Sequence, residues 1–271
     1  MRKITFLSDF NFWNRPFKLL LITGLLFVIL SGKTVLAQNI SEKEKSGRVI
    51  SFSGYEWLVK SSVNTISGTL APGNNYFSDA KENVWVDKNG WLHLKITLLN
   101  GKWYCAEVLL TKPLGYKKYV FHVFSRFDHF HSNVVGGLFT YLDGTDQAEE
   151  LDIEFSKWGD DKRTNNELFS IQPSEKPENI QSFKPELNGN ATTHIIDWKP
   201  GNVVFESYHG HYSSAPTDST LIIHKWNYSG KDVPKDQNGR IHINLWLFHR
   251  EIIDLFDHPE NEMVVKDFQA L

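Results

Sequence analysis

Three carboxylates occupy alternate positions in one short segment of this 271-residue sequence: Glu150, Asp152 and Glu154, within AEELDIEFSKWG at residues 148–159. On a β-strand, residues two apart share a face, so the three acids point one way and the apolar residues between them point the other. The apolar side is suited to a core. The acids either line an ordinary solvated sheet face or lie together in a site that uses their charge.

A pair of carboxyls at this spacing could hydrolyse a glycosidic bond. In hydrolysis with retention, one carboxyl is the nucleophile and a second, about 5 Å away, gives a proton to the leaving oxygen. At about 3.3 Å per residue, the Cα atoms of residues 150 and 154 lie roughly 13 Å apart, so each Glu has to lean inward by about 4 Å. Repulsion from Asp152 raises the pKa of a neighbouring carboxyl, which lets a neutral acid and a charged nucleophile coexist near neutral pH.

The acid segment belongs to a series of short runs rich in Val, Ile, Phe, Tyr and Trp, separated by turn residues, which is typical of an antiparallel all-β domain. The predicted strands are 55–60, 83–86, 91–98, 103–110, 116–127, 134–142, 150–156, 166–172, 192–198, 202–208, 220–226, 240–248 and 263–269. We find no convincing helix and no internal repeat in this part of the sequence.

Turn chemistry and the lack of a linker indicate how these strands are arranged. The sequences LNGK (99–102) and KPGN (199–202) predict tight turns, and so two hairpins: 91–98 with 103–110, and 192–198 with 202–208. No break in composition divides the series. The pattern therefore favours two stacked antiparallel sheets, a β-sandwich or jelly roll, whose curved sheets would form a concave cleft.

The first part of the chain has the pattern of an export signal. Arg15 and Lys18 precede an apolar run at 19–30 that has the length of a signal-peptide core, and Ala37 supplies a small residue before a cleavage site. We predict a signal peptide over 1–37, a flexible leader over 38–51 and one domain over 52–271. The alternative is an uncleaved N-terminal anchor. In either case we expect the domain to be secreted or periplasmic.

The net charge limits the class of ligand, and the cysteine content limits how the fold can be stabilised. Removing residues 1–37 takes away five basic residues and one acidic one, which leaves 24 basic against 31 acidic residues and a net charge of −7. This balance disfavours nucleic acid and strongly anionic polymers, so a neutral polysaccharide fits better. Cys105 is the only cysteine, which rules out a disulfide within one chain. We expect a monomer stabilised by its core, with Cys105 buried rather than nucleophilic.

The segment ELDIEF resembles the active-site strand of family 16 glycoside hydrolases, E-[ILV]-D-x-E, in the family that includes lichenases, laminarinases, agarases and xyloglucan transglycosylases. The resemblance runs from about residue 52 to the C-terminus. It includes NNYFSD (74–79), NVWVDKNGWLHLKI (83–96), WYCAEV (103–108), LGYKKYVFHV (114–123), THIIDWKPGNVVFESYHG (193–210) and HINLWLF (242–248). It implies a concanavalin-like jelly roll, with Glu150 as nucleophile, Glu154 as general acid/base and Asp152 as the residue that tunes them. The unbulged motif resembles that of lichenases and xyloglucan enzymes.

Aromatic and polar residues in these segments are candidates for sugar contacts, because sugar rings stack on aromatic faces. The chain has 9 Trp, 9 Tyr and 19 Phe, more than a typical core requires. The aromatic candidates are Tyr76, Phe77, Trp103, Trp158 and Trp246, for each of which core packing is the alternative. The resemblance adds Asn75 and Glu107, with a turn and a surface salt bridge as their alternatives. Leu109 stands where lichenases tend to have Arg, which argues against lichenase specificity.

Three further hypotheses remain open. The same fold could bind glucan without cutting it, although non-catalytic relatives tend to lose the glutamates that this chain keeps. It could also transfer the glycosyl group to a second sugar. The histidines in DHFH (128–131) and HGH (209–211) suggest a metal, but two His without a third ligand seldom form a zinc site. We expect no cofactor in the chemistry. Several relatives hold a structural calcium, for which this sequence identifies no ligands.

Overall fold

Seventeen β-strands account for most of the regular structure in the computed structural model, which describes residues 47–63, 65–144, 150–250 and 262–271. The strands are β1 Val49–Phe52, β2 Tyr55–Val59, β3 Tyr76–Phe77, β4 Val84–Val86, β5 Leu92–Lys95, β6 Thr97–Leu99, β7 Lys102–Leu110, β8 Lys118–Phe124, β9 Val134–Tyr141, β10 Leu151–Ser156, β11 Glu167–Ile171, β12 Ile180–Phe183, β13 Ala191–Lys199, β14 Asn202–His209, β15 Ile222–Ser229, β16 Arg240–Leu247 and β17 Glu262–Ala270. Short 3-10 helices span Phe127–His129, Pro177–Asn179 and Ser219–Leu221. The predicted signal peptide lies outside the described residues. Within them, no helix is long and apolar enough to cross a membrane.

The strands form two sheets, as the sequence pattern predicted. The larger sheet has the order β1-β2-β7-β16-β9-β10-β11-β12, with β3 and β6 also paired to β7. The smaller sheet has the order β15-β14-β13-β8-β17-β5-β4. All neighbours are antiparallel except the short β3, which runs parallel to β7. The prediction of an all-β antiparallel sandwich of the jelly-roll type is therefore confirmed.

The acid strand, β10, is an inner strand of the larger sheet, between β9 and β11. Its apolar residues Leu151, Ile153 and Phe155 are fully buried in the main core cluster, which includes residues from both sheets. The Phe155 ring stacks on Phe127, with centroids 4.1 Å apart, and meets the buried His194 ring edge to face. This packing fixes which face of β10 carries the acids, because alternate residues must point away from the core.

Several strand boundaries differ from those predicted, and β3 and β12 were not predicted; two of the differences change how strands are paired. The stretch 91–98 is not one strand: β5 pairs with β4 and β17 in the smaller sheet, whereas β6 pairs with β7 in the larger one. Only the β6 end forms the predicted hairpin, so the chain changes sheets at the buried Ile96. The predicted leader also ends too late, because Val49–Phe52 pairs with β2 as the first strand. The hairpin of β13 and β14 is confirmed.

Removing the Phe155 ring should destabilise the protein strongly. We expect Phe155→Ala to lower the free energy of unfolding by about 3–5 kcal/mol, because a fully buried ring leaves a cavity between the sheets. Urea unfolding followed by tryptophan fluorescence measures this loss. Phe155→Leu is the matched control and should lose much less, since it keeps most of the buried volume. Equal losses in the two variants would contradict the role of the ring.

Candidate active site

The pairing of strands in the larger sheet shows which residues lie on the same face as the acids. Asp152 lies opposite Phe139 on β9 and Ser170 on β11, and Glu154 lies opposite Gly137 and Leu168. The same rows continue from β9 to β16 and from β16 to β7. One row therefore joins Glu154 through Gly137 and Asn244 to Glu107, and the next joins Asp152 through Phe139 and His242 to Leu109. The three acids and Glu107 thus share one face.

The hydroxyl of Ser170 donates to Asp152 Oδ2 at 2.8 Å, and the Gln172 side-chain amide donates to the same oxygen at 3.3 Å. Asp152 is only 4% exposed, whereas Glu150 and Glu154 on either side of it are partly exposed. The middle acid is therefore anchored by β11 and the loop after it. The two glutamates keep some access to solvent.

Burial and crowding raise the pKa of all three carboxyls. Burial raises the pKa of Glu150 well above its ordinary value, and the charges of Asp152 and Glu154 raise it further. Burial, followed by the Asp152 charge, does the same for Glu154. Burial raises the pKa of Asp152 to about 6, opposed by hydrogen bonds from Ser170, Gln172 and Glu150. The sequence argument named repulsion as the cause, but burial is the larger one. A proton can therefore be held among these acids near neutral pH.

Asp152 should make the stability of the protein fall as the pH rises. Its pKa in the folded state, about 6, lies above the ordinary value of 3.8, so the folded state holds the proton more tightly. This stabilisation is fully present below pH 3.8 and is lost as the pH rises through about 6, a change on the order of 3 kcal/mol. We expect Asp152→Asn to flatten the fall between pH 4 and pH 7.

Urea unfolding of the wild type and Asp152→Asn at several pH values measures this difference. Asp161→Asn is the control, because it removes an aspartate charge at an exposed position. Parallel stability profiles for the wild type and Asp152→Asn would contradict the assignment.

A buried ion pair lies on the acid face, on β7, which is three strands away from β10. Glu107, 1% exposed, accepts hydrogen bonds from Lys60 Nζ at 3.0 Å on both carboxylate oxygens, and His242 Nδ1 lies 2.9 Å from its Oε1. Burial opposes ionisation, but the charge of Lys60 and the hydrogen bond from His242 more than offset it, so the pKa of Glu107 is lowered. Glu107 is therefore an anion held by protein groups.

Asn244 connects this ion pair to the acids. A Cβ at Gly137 would come within 2.5 Å of Asn244 Oδ1, so the carboxamide lies over the bare backbone of the residue opposite Glu154. Asn244 Oδ1 and His242 Nε2 are both buried, and neither finds a hydrogen-bond partner in the part of the chain that the structure describes. Buried polar atoms in a native structure are normally paired. The acid face therefore contains two buried polar atoms that no described residue pairs.

Aromatic side chains lie at the end of β10 and on the neighbouring strand. Trp246 belongs to the row that contains Ser156, and its ring meets that of Trp158 at 6.3 Å between centroids, edge to face. Trp158 also contacts Phe248 at 5.4 Å, and its backbone has a φ of +52°, which is unusual for a bulky residue. Trp103 is partly exposed and has the same strand parity as Glu107. The structure therefore places Trp103, Trp158 and Trp246 toward the acid face, but Trp246 is only 8% exposed and belongs to the core cluster.

Three predicted sugar contacts take a different form in the structure. Phe77 is fully buried, so the prediction that its ring stacks on a sugar is wrong. Asn75 is 1% exposed, and its amide donates to the carbonyls of Pro72 and Leu247 at 3.0 and 2.8 Å. Its amide nitrogen therefore holds the backbone of two neighbouring segments, as the Glu107 carboxylate holds Lys60 and His242. Tyr76 remains partly exposed, between the Tyr104 ring and the Arg250 guanidinium.

Lys60, His242 and Asn244 were missed as site residues in the sequence. A signal for two of them existed, because RIHINLW alternates Arg240, His242 and Asn244 with three apolar residues, just as the acid segment does. Ser170 and Gln172 alternate in the same way. Which of these strands lies near β10 could not be read from alternation alone.

The histidine motifs do not assemble a metal site in the described ranges. Arg126 pairs with Asp128 and contacts His129, and His131 Nδ1 accepts the backbone N–H of Asn133. Among the residues described, no group of three or more His, Cys, Asp or Glu side chains is arranged to hold a metal ion. Cys105 is fully buried, as predicted, and burial raises the pKa of its thiol to about 12.

Solved structures resemble this fold even though sequence comparison finds nothing: no protein-family model matches the chain, and no curated protein matches it either. A β-1,3-1,4-glucanase (lichenase) from a mouse hindgut metagenome is 18% identical, with a TM-score of 0.53 over 79% of this chain and 91% of that one. The β-glucanase of Bacillus licheniformis is also 18% identical, with a TM-score of 0.54 over 83% and 98%. A Bacteroides ovatus mixed-linkage glucan GH16 protein, in complex with a G4G4G3G product, is 15% identical, with a TM-score of 0.55 over 79% and 94%.

At these identities the likeness establishes the fold. The chain has the fold of family 16 glycoside hydrolases, as the resemblance in its sequence implied. The neighbours include enzymes named for their action on β-glucan.

Proposed function

We propose that this protein is an exported, retaining, endo-acting β-glycoside hydrolase of family 16 that cleaves a neutral β-glucan. The observation that carries the proposal is the placement of Asp152 and Glu154 on one face of the inner strand β10, with Glu150 directly before it, in a fold shared with β-glucanases. On the same face lie the partly exposed rings of Trp103 and Trp158, which suit the flat faces of sugar rings.

The proposed reaction is a double displacement. Glu150 attacks the anomeric carbon while Glu154 gives its proton to the departing oxygen, which forms a glycosyl ester on Glu150 and releases the shortened chain. Glu154, now ionised, takes a proton from water, and the water oxygen displaces Glu150 with a second inversion. The raised pKa of Glu154 keeps it protonated for the first step. The pKa of Glu150 is raised as well, so Asp152, which is hydrogen-bonded to Glu150, takes up the Glu150 proton as this carboxylate attacks.

Release of reducing sugar from neutral polysaccharides tests the proposal. We expect the wild type to cleave at least one substrate in a panel of β-1,3-, β-1,4- and mixed-linkage glucans, xyloglucan and agarose, with a rapid fall in chain length that marks internal cleavage. Proton NMR of early products should show the β-anomer first, since two inversions retain configuration. Appearance of the α-anomer first would disprove the retaining mechanism.

The other functions considered for this fold give different results in the same assay. A binding module would retain glucan and release no reducing sugar. A transglycosylase would lengthen added oligosaccharide acceptors in preference to releasing free ends. Mass spectrometry of the protein recovered outside the cytoplasm tests export, and an N-terminus at Gln38 is the expected result.

A further inference from the structure

A cavity of about 550 Å³ lies at one end of the smaller sheet, whereas the acids lie on the larger sheet. It is lined where β8 ends, β13 begins and β14 ends, by residues that include Phe124, Ala191 and His209. Ala191 and Phe124 are paired in register, and on β13 it is the alternate residues Ile196 and Trp198 that enter the main core. Phe124 and Ala191 therefore line the cavity from the outer face of the smaller sheet, whereas His209, which pairs with Thr192, has the parity of the core-facing residues.

The lining combines aromatic rings with neutral polar groups. Phe124 and Tyr212 supply rings, Asn188 and Asn190 supply exposed carboxamides, and no Asp, Glu, Lys or Arg is among the lining residues that the structure describes. Burial lowers the pKa of His209, so its imidazole is neutral at neutral pH. Its Nδ1 is buried and has no hydrogen-bond partner in the described residues. Such a lining favours an uncharged ligand with both hydroxyl groups and an apolar face.

The backbone holds the Tyr212 ring against the cavity. Its N–H donates to Thr193 Oγ1 at 2.9 Å, and its carbonyl lies 3.2 Å from His122 Nε2. A Cβ at Gly210 would come within 2.8 Å of the Tyr212 ring, and Gly210 has a φ of +88°. Glycine is thus required for the ring to lie over this turn.

Further rings extend from the cavity along the same outer face. Phe124 contacts Trp91 at 5.1 Å and His211 at 6.3 Å between centroids, and His211 stacks on His122 at 5.0 Å. Trp91, Phe124 and His211 are each partly exposed. A row of partly exposed rings beside a neutral cavity suits a ligand longer than one sugar unit.

We propose that this cavity and the adjoining rings form a second binding site for a neutral oligosaccharide, separate from the acid face. The site would hold a second segment of a polysaccharide while the acids act elsewhere on the chain, which raises effective concentration. The choice of β-glucan as the ligand rests on the proposed function. The prediction that the cavity binds a neutral oligosaccharide rests only on its lining residues.

NMR titration of Glu150→Gln with laminaritriose and with cellotriose tests the second site, because this variant should not consume the probes. We expect the amide resonances of Gly189 and Gly210 to shift in a saturable manner with at least one probe. Tyr212→Ala should raise the Kd measured at these resonances at least tenfold, whereas Tyr212→Phe, which keeps the ring, should stay within about twofold of the parent.

A second variant covers the case in which Tyr212→Ala does not fold. The double change Asn188→Ala with Asn190→Ala alters two exposed side chains, and should also raise the Kd at the cavity without changing the Kd read at the acid face. Absence of shifts at Gly189 and Gly210 with both probes would overturn the proposal, as would an unchanged Kd in the double variant. If the wild type released no reducing sugar while these shifts persisted, the hydrolase proposal would fail and the second site would stand.

Discussion

Glu150→Gln should abolish hydrolysis, with kcat/KM lowered by at least about 10⁴-fold, because an amide cannot form the covalent intermediate. The loss should appear in kcat for every substrate, activated or not, since the first displacement itself is blocked. Initial rates on the best glucan from the polysaccharide panel measure it. Binding of the same glucan should persist, because the aromatic rings on the acid face are unchanged.

Glu56→Gln is a matched control for this substitution. Glu56 is an exposed residue of β2, two before Leu58, which pairs with Leu109 of the acid-face row. It therefore points to the same face of the larger sheet, far along it from the acids, and its change should leave activity within about twofold. Glu150→Ala gives a second readout, because azide in the vacated space should attack the β-glycoside and yield an α-glycosyl azide. Full activity of Glu150→Gln would overturn its assignment as nucleophile.

Glu154→Gln should reduce activity by about 10²- to 10⁴-fold on glucans, whose departing sugar oxygen needs a proton. The loss should be small for the first step with a dinitrophenyl β-glycoside, because that leaving group departs without protonation. The glycosyl ester on Glu150 should then accumulate, since no base activates water. A burst of dinitrophenol followed by a slow steady rate is the expected signature.

Azide separates the two glutamates. With Glu154→Ala and an activated substrate, azide should attack the glycosyl ester and give a β-glycosyl azide, the opposite anomer from that of Glu150→Ala. The pH dependence of kcat/KM should also lose its basic limb in Glu154→Gln, because the raised pKa of Glu154 is the one that sets this limb in the wild type. If Glu154→Ala gave an α-glycosyl azide instead, Glu154 would be the nucleophile and Glu150 the general acid/base.

Local sequence pattern predicted much of the site. Strict alternation in ELDIEF placed the three acids on one face and their apolar neighbours in the core, and the structure buries Leu151, Ile153 and Phe155 fully. The same rule failed for 91–98, which alternates as one strand but divides between two sheets. Alternation reports the face of a strand and says nothing about which strand lies beside it.

The predictions for individual sugar contacts were weaker for the same reason. Phe77 and Tyr76 are adjacent in sequence, yet one is fully buried and the other is partly exposed. Glu107 was predicted to face a sugar, and it does lie on the acid face, but Lys60 and His242 enclose it. Neither partner could be assigned from the sequence, because Lys60 is 47 residues and His242 is 135 residues away from Glu107.

The sequence by itself determined the all-β class and the shared face of the three acids, because a strand repeats every two residues whatever surrounds it. Tertiary structure alone decided how deeply those acids are buried, and so how far their pKa values rise. It also decided that Asn244 lies over Gly137 beside Glu154, and that a neutral cavity forms on the opposite sheet. These properties depend on contacts between strands distant in the chain, which no local pattern encodes.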